Sequence, residues 1–153
     1  MIKFCVEQWE KNKNRLEEVL KADSTLNACS YKYLVELVVK YVFNNSEDSY
    51  SYDNWDYKKI TEIDNGDYQG TLLFMIPKQT YQPSEGEYLL TYAGYGSCSG
   101  CDTLKAIQSW EDKPPTERQL KDYMSLCKDL ACNTVKPYNK GWCYDSLYDE
   151  VSF

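Results

Sequence analysis

The chain reads as an α+β domain in the order ααβββαα. Three observations carry this. Two amphipathic runs open the sequence, three β-prone runs divided by turn formers follow, and two further helical runs come after them. With 153 residues, the length suits one domain over 1–153. The organising stretch is 87–107, which reads as a buried strand, a glycine-bracketed turn holding Cys98 and Cys101, and then a helix.

Residues 2–21 place Ile2, Cys5, Trp9, Leu16, Val19 and Leu20 near one face of a helix, with charged and amide side chains opposite. A second, more apolar helix is expected over 27–43, where Tyr31, Leu34, Val35, Val38, Tyr41 and Val42 recur at helical spacing before Asn44-Asn45. Residues 44–57 contain no aliphatic side chain and alternate turn formers with acids and rings. They read as an exposed loop suited to contact with another molecule, because tyrosine and tryptophan offer large, rigid contact area.

Strands are expected over 57–63, 68–76 and 87–95. Asp64-Asn65-Gly66-Asp67 supplies the first hairpin turn, Pro77 stops the second strand, and an antiparallel meander is the simplest pairing. A third helix is expected from Asp102 to Trp110 with Leu104, Ile107 and Trp110 inward. Thr116 as N-cap and Gln119 three residues later announce a fourth, with an apolar stripe through Leu120, Tyr123, Met124, Cys127, Leu130 and Ala131 and a stop at Pro137. The segment 138–153 is again aromatic and acidic.

Composition restricts the chemistry. Histidine is absent, so there is no Ser-His or Cys-His nucleophile pair, no imidazole base and no mixed Cys/His zinc site. A net charge of −7 disfavours direct binding to nucleic acid or an anionic membrane and suits a basic partner. The N-terminus lacks the apolar run of a signal peptide, and no stretch approaches the ~20 apolar residues of a membrane span. A cytoplasmic location with its seven cysteines reduced is therefore expected.

Cys98-Ser-Gly-Cys101 admits several readings. A Cys-x-x-Cys pair between a strand and a helix matches a dithiol oxidoreductase, with Cys98 as nucleophile and Cys101 resolving, although no βαβ unit precedes it. A zinc-stabilised domain would add Cys127 and Cys132, but five residues along a helix turn about 140°, which points the two sulfurs apart unless the helix ends between them. Cys143 is a further candidate ligand. Gly94, Gly96 and Gly100 suggest an anion cradle, yet Asp102 stands where a phosphate would sit. Asp64, Asp67, Glu85 and Glu87 flank turns and show no pairing suited to acid–base catalysis. The remaining reading needs no chemistry: the glycines permit a tight turn and the small side chains let the helix dock closely. The elbow is expected to be scaffolding, with no metal and no cofactor.

Three segments, Asp67-Tyr-Gln-Gly-Thr-Leu-Leu-Phe74, Thr80-Tyr-Gln-Pro-Ser-Glu-Gly-Glu-Tyr88 and Tyr95-Gly-Ser-Cys-Ser-Gly-Cys-Asp-Thr-Leu104, resemble small uncharacterised proteins of bacteriophages and prophages. The resemblance covers roughly 55–135 and implies a phage setting without an assigned activity. Together with acidity, 15 tyrosines and no catalytic set, it leads to the expectation of a non-enzymatic protein in the host cytoplasm that binds a host protein, with inhibition of a defence protein as one mode. Its expected contact residues are Tyr50, Tyr52, Asp53, Trp55 and Asp56 in one segment and Trp142, Tyr144, Asp145, Tyr148 and Asp149 in the other.

Overall fold

The computed structural model describes residues 1–44 and 54–136. Within them the order is α1 (Ile2–Lys21), α2 (Tyr31–Val38), β1 (Thr61–Gly66), β2 (Gly70–Pro77), β3 (Tyr88–Tyr95), α3 (Thr103–Ile107) and α4 (Glu117–Cys132). The three strands form one antiparallel sheet in the order β1-β2-β3, so the architecture is α+β, ααβββαα. Helices cover one face of the sheet: Phe74, Ile76, Leu89 and Ala93 are buried beneath them. Cys5, Trp9, Leu16 and Leu20 of α1 and Tyr123, Cys127, Leu130 and Ala131 of α4 complete that core.

Helix boundaries follow from side-chain bonding that periodicity does not reveal. Ser30, in an extended conformation, accepts the N–H of Tyr33 and caps α2, so the helix starts there and Leu26–Ala28 form a separate 3-10 turn. Asn27, expected inside the helix, instead donates to the carbonyl of Glu111 at 2.8 Å and to Ser109 at 2.9 Å. The end of α2 widens into a π turn over Val39–Phe43, and buried Asn12 of α1 donates to the carbonyl of Val42 at 2.8 Å. The capping box of Thr116 and Gln119 is present as expected.

The first hairpin turns later than Asn65-Gly66 suggests. Pairing continues to Gly66 opposite Gly70, leaving Asp67, Tyr68 and Gln69 as the loop. The approach there is close enough that a Cβ on Gly66 would lie 2.3 Å from the Gln69 carbonyl oxygen. Helix α3 is also shorter than expected. Gln108 leaves the helical conformation, and its amide donates to the carbonyls of Leu26 and Cys29 at 2.8 and 2.9 Å. Trp110, expected inward, is consequently 90% exposed. Helix α4 ends at Cys132 rather than at Pro137, and Val135 then pairs with Leu90 beside β3.

Trp55 departs most from expectation. It was placed in an exposed contact loop, yet it is 7% exposed and belongs to the core. Residues 54–56 run antiparallel to 77–79, with Asp56 N–H donating to Pro77 O and Gln79 N–H to Asn54 O. The buried Asn44 side chain fixes Trp55 from the other side, accepting its N–H at 2.8 Å and donating to its carbonyl at 2.9 Å. An aliphatic-poor segment thus enters the core because its backbone finds partners there. Trp55→Ala is expected to cost on the order of 3 kcal/mol in chemical denaturation, whereas a surface ring would change stability by about 0.5 kcal/mol or less.

Candidate functional site

The strongest concentration of chemistry lies where β3 passes into α3. Asp102 is 5% exposed and sits beneath the Cys turn. One carboxylate oxygen accepts the N–H of Gly96 at 3.0 Å, and the other accepts the Tyr31 hydroxyl at 2.8 Å and the N–H of Lys105 at 3.1 Å. The Tyr31 oxygen in turn accepts the N–H of Leu104 at 3.0 Å. One side chain therefore joins the end of β3, the start of α2 and the first turn of α3. Asp102 serves as N-cap, which accounts for a carboxylate where an anion cradle would require a phosphate.

Burial by itself would raise the Asp102 carboxyl. Its hydrogen bonds from Gly96, Lys105 and Tyr31 outweigh that and hold it below the ordinary carboxylate value. Burial pushes the Tyr31 phenol the other way, up to about 12.

Gly96 is buried against the turn, and a Cβ there would lie 2.6 Å from both the carbonyl oxygen and the Sγ of Cys101. No side chain fits that space. The turn then rises out of the protein: residues 97–101 are all exposed. Within it the Sγ atoms of Cys98 and Cys101 stand 3.0 Å apart, and Cys98 N–H points to Cys101 Sγ at 3.3 Å. Hydrogen bonds from the Cys98 thiol and the Cys98 N–H favour the Cys101 thiolate and lower its pKa. The expected order takes Cys98 as the nucleophile, whereas the hydrogen bonds within the turn favour ionisation of Cys101.

The other cysteines do not join this pair. Cys127 is fully buried near Cys29, and Cys132 lies near Cys5. Burial raises all four thiols, Cys5 and Cys29 to about 12. The four cysteines expected for zinc, Cys98, Cys101, Cys127 and Cys132, are thus not brought together, and among the described residues no three His, Cys, Asp or Glu side chains are grouped to hold a metal.

Next to the elbow runs a groove of about 310 Å³. Apolar Leu72 and Leu104 line it together with Glu62, Asp64 and Lys105. Tyr95 donates its hydroxyl to Asp64 at 2.6 Å, an interaction that pushes the phenol up to about 12. Lys105 Nζ is 3.3 Å from the Gly96 carbonyl.

Of the expected contact residues, Trp55 is in the core, and Asp56 is partly buried and accepts the N–H of Lys58 at 3.1 Å. Tyr50, Tyr52, Asp53, Trp142, Tyr144, Asp145, Tyr148 and Asp149, as well as Cys143, lie outside the described residues. The most open rings described are ones not expected at a contact surface: Tyr68, Tyr81 and Trp110 are 81%, 89% and 90% exposed. No described helix is long and apolar enough to cross a membrane. No protein-family model, curated protein or solved structure matches this chain.

Asp102→Asn is expected to cost about 1–3 kcal/mol, because an amide nitrogen cannot accept one of the buried donors. The charge also carries a pH signature. A folded pKa below the unfolded value of about 4 means that its contribution is complete above that pH and is lost as pH falls through the folded pKa. Urea denaturation from pH 6 to pH 2 should therefore show a smaller acid loss of stability in Asp102→Asn than in the parent protein.

Proposed function

We propose that this protein is a dithiol–disulfide exchange protein acting through Cys98 and Cys101. A single observation carries this: two exposed sulfurs held 3.0 Å apart on a turn whose base is locked by Asp102 and Gly96. Cys101 thiolate attacks one sulfur of a partner's disulfide, that S–S bond breaks, and the departing cysteine takes up a proton. Cys98 then attacks Cys101 Sγ, releasing the partner's second thiol and closing the Cys98–Cys101 disulfide. Two electrons pass from this dithiol to the partner, and a low-molecular-weight thiol restores the dithiol by the reverse exchange.

The absence of histidine is no obstacle, since thiolate formation here uses a neighbouring thiol and a backbone N–H. The fold is not the βαβ arrangement usual for such motifs, so the geometry of the turn, and not its setting, supports the assignment. In Cys98→Ser, Cys101 remains as attacking thiol with nothing to resolve it, and mixed disulfides should accumulate on non-reducing gels. Cys101→Ser should abolish them and also remove the lowest thiol titration. A lowest thiol pKa at the ordinary ~8.5 or above would sink the proposal.

A second reading, a phage-type protein that binds a host protein, is favoured by the exposed rings of Tyr68, Tyr81 and Trp110 on a chain of net charge −7. Such rings are the usual anchors of an interface. The triple variant Tyr68→Ala, Tyr81→Ala, Trp110→Ala should release any partner retained from host lysate. Equal retention by the variant would remove the support those rings give.

A further inference from the structure

We infer that the outer edge of β1, together with the groove beneath it, takes an extended polypeptide bearing a basic side chain. The inference names the partner class for thiol exchange and in that respect rests on the dithiol reading, while its structural basis lies elsewhere.

All six residues of β1 are exposed, and among the described residues the strand is paired on one side only, to β2. Such an edge presents a row of N–H and C=O groups to which an added strand can bond. Register decides what the added strand would meet. Glu62 lies opposite Phe74 and Asp64 opposite Leu72, on the face turned toward the helices, and both carboxylates line the groove. A neighbouring strand sits about 4.8 Å away with alternate side chains on that same face, so every second residue would project over the groove.

Charge then selects the occupant. Glu62 and Asp64 face a single groove cation, Lys105, which is already directed at the Gly96 carbonyl. The Tyr95 hydroxyl fixes Asp64 in place. A lysine or arginine reaching down from the added strand would lay its methylenes on Leu72 and Leu104 and its charge between the carboxylates. Inward-facing charges on an edge strand also repel stray pairing. Here they exclude neutral and acidic strands and leave basic ones admissible. Gly66, Gly70 and Tyr95 share one end of the sheet, and Cys98 follows Tyr95 by three residues. One end of a docked strand therefore lies at the end of the sheet from which the chain runs on to the thiols, with β2 and β3 between that edge and the exit.

The test uses a labelled, cysteine-free peptide of alternating threonine and lysine, read by fluorescence anisotropy at physiological ionic strength. Binding is expected, with no binding by the peptide that has glutamate for lysine. Alternate N-methylation keeps every charge but removes donors, and it should weaken binding strongly, which separates strand addition from simple attraction to an acidic protein. Glu62→Gln with Asp64→Asn should weaken binding about tenfold, the worth of two exposed ion pairs at the upper end of their range. The Cys98→Ser, Cys101→Ser protein should bind the peptide as well as the parent does, so a failed thiol assay leaves docking measurable and a failed docking assay leaves the thiol titration intact. Equal binding of the N-methylated or glutamate peptide, an unchanged double variant, or a dimer dispersed by Glu62→Lys would each overturn the inference.

Discussion

The local architecture around the Cys turn depends on the Asp102 carboxylate. It is buried and charged, a combination that is unfavourable unless the charge is well solvated by donors. Three donors from three segments supply that solvation: Gly96 N–H, Lys105 N–H and the Tyr31 hydroxyl. The same hydroxyl oxygen receives Leu104 N–H, so Tyr31 relays the anchor into α3. Sheet, α2 and α3 thus meet at one ion, and the turn between Gly96 and Asp102 inherits its shape from that meeting.

This arrangement sets buried and exposed positions side by side within seven residues. Gly96 and Asp102 are buried and fixed, whereas 97–101 project outward with both sulfurs accessible. A reactive pair needs both properties: sulfurs free to meet a second molecule, and a base rigid enough to keep them close to each other. The remaining described cysteines are of the opposite kind. Burial raises their pKa values and leaves them as small apolar fillers, Cys127 most completely.

The two faces of the sheet and its edge divide the surface further. Beneath the helices the sheet buries Phe74, Ile76 and Leu89, with Thr91 donating its hydroxyl to the carbonyl of Leu130 in α4. The opposite face carries a cross-strand row of Ile63, Leu73 and Tyr92, with Ile63 and Tyr92 nearly half exposed. At the edge, Glu62 and Asp64 break the apolar inner face where the helical cover stops, and a groove opens there.

Local sequence signals determined the element order, the antiparallel meander, the capping box at Thr116 and the existence of an elbow at 94–102, because each depends on periodicity, turn chemistry or a bond between near neighbours. The start of α2 rests on the Ser30 cap, a local signal that periodicity passes over, whereas the end of α3 was not legible, since Gln108 there reaches more than seventy residues along the chain. Composition pointed Trp55 outward, and pairing with 77–79 turned it inward. The candidate site divides in the same way. That Cys98 and Cys101 share a turn is written in their spacing, but what locks the turn and which carboxylates border it follow from contacts between residues distant in sequence, and those form only once sheet and helices have packed.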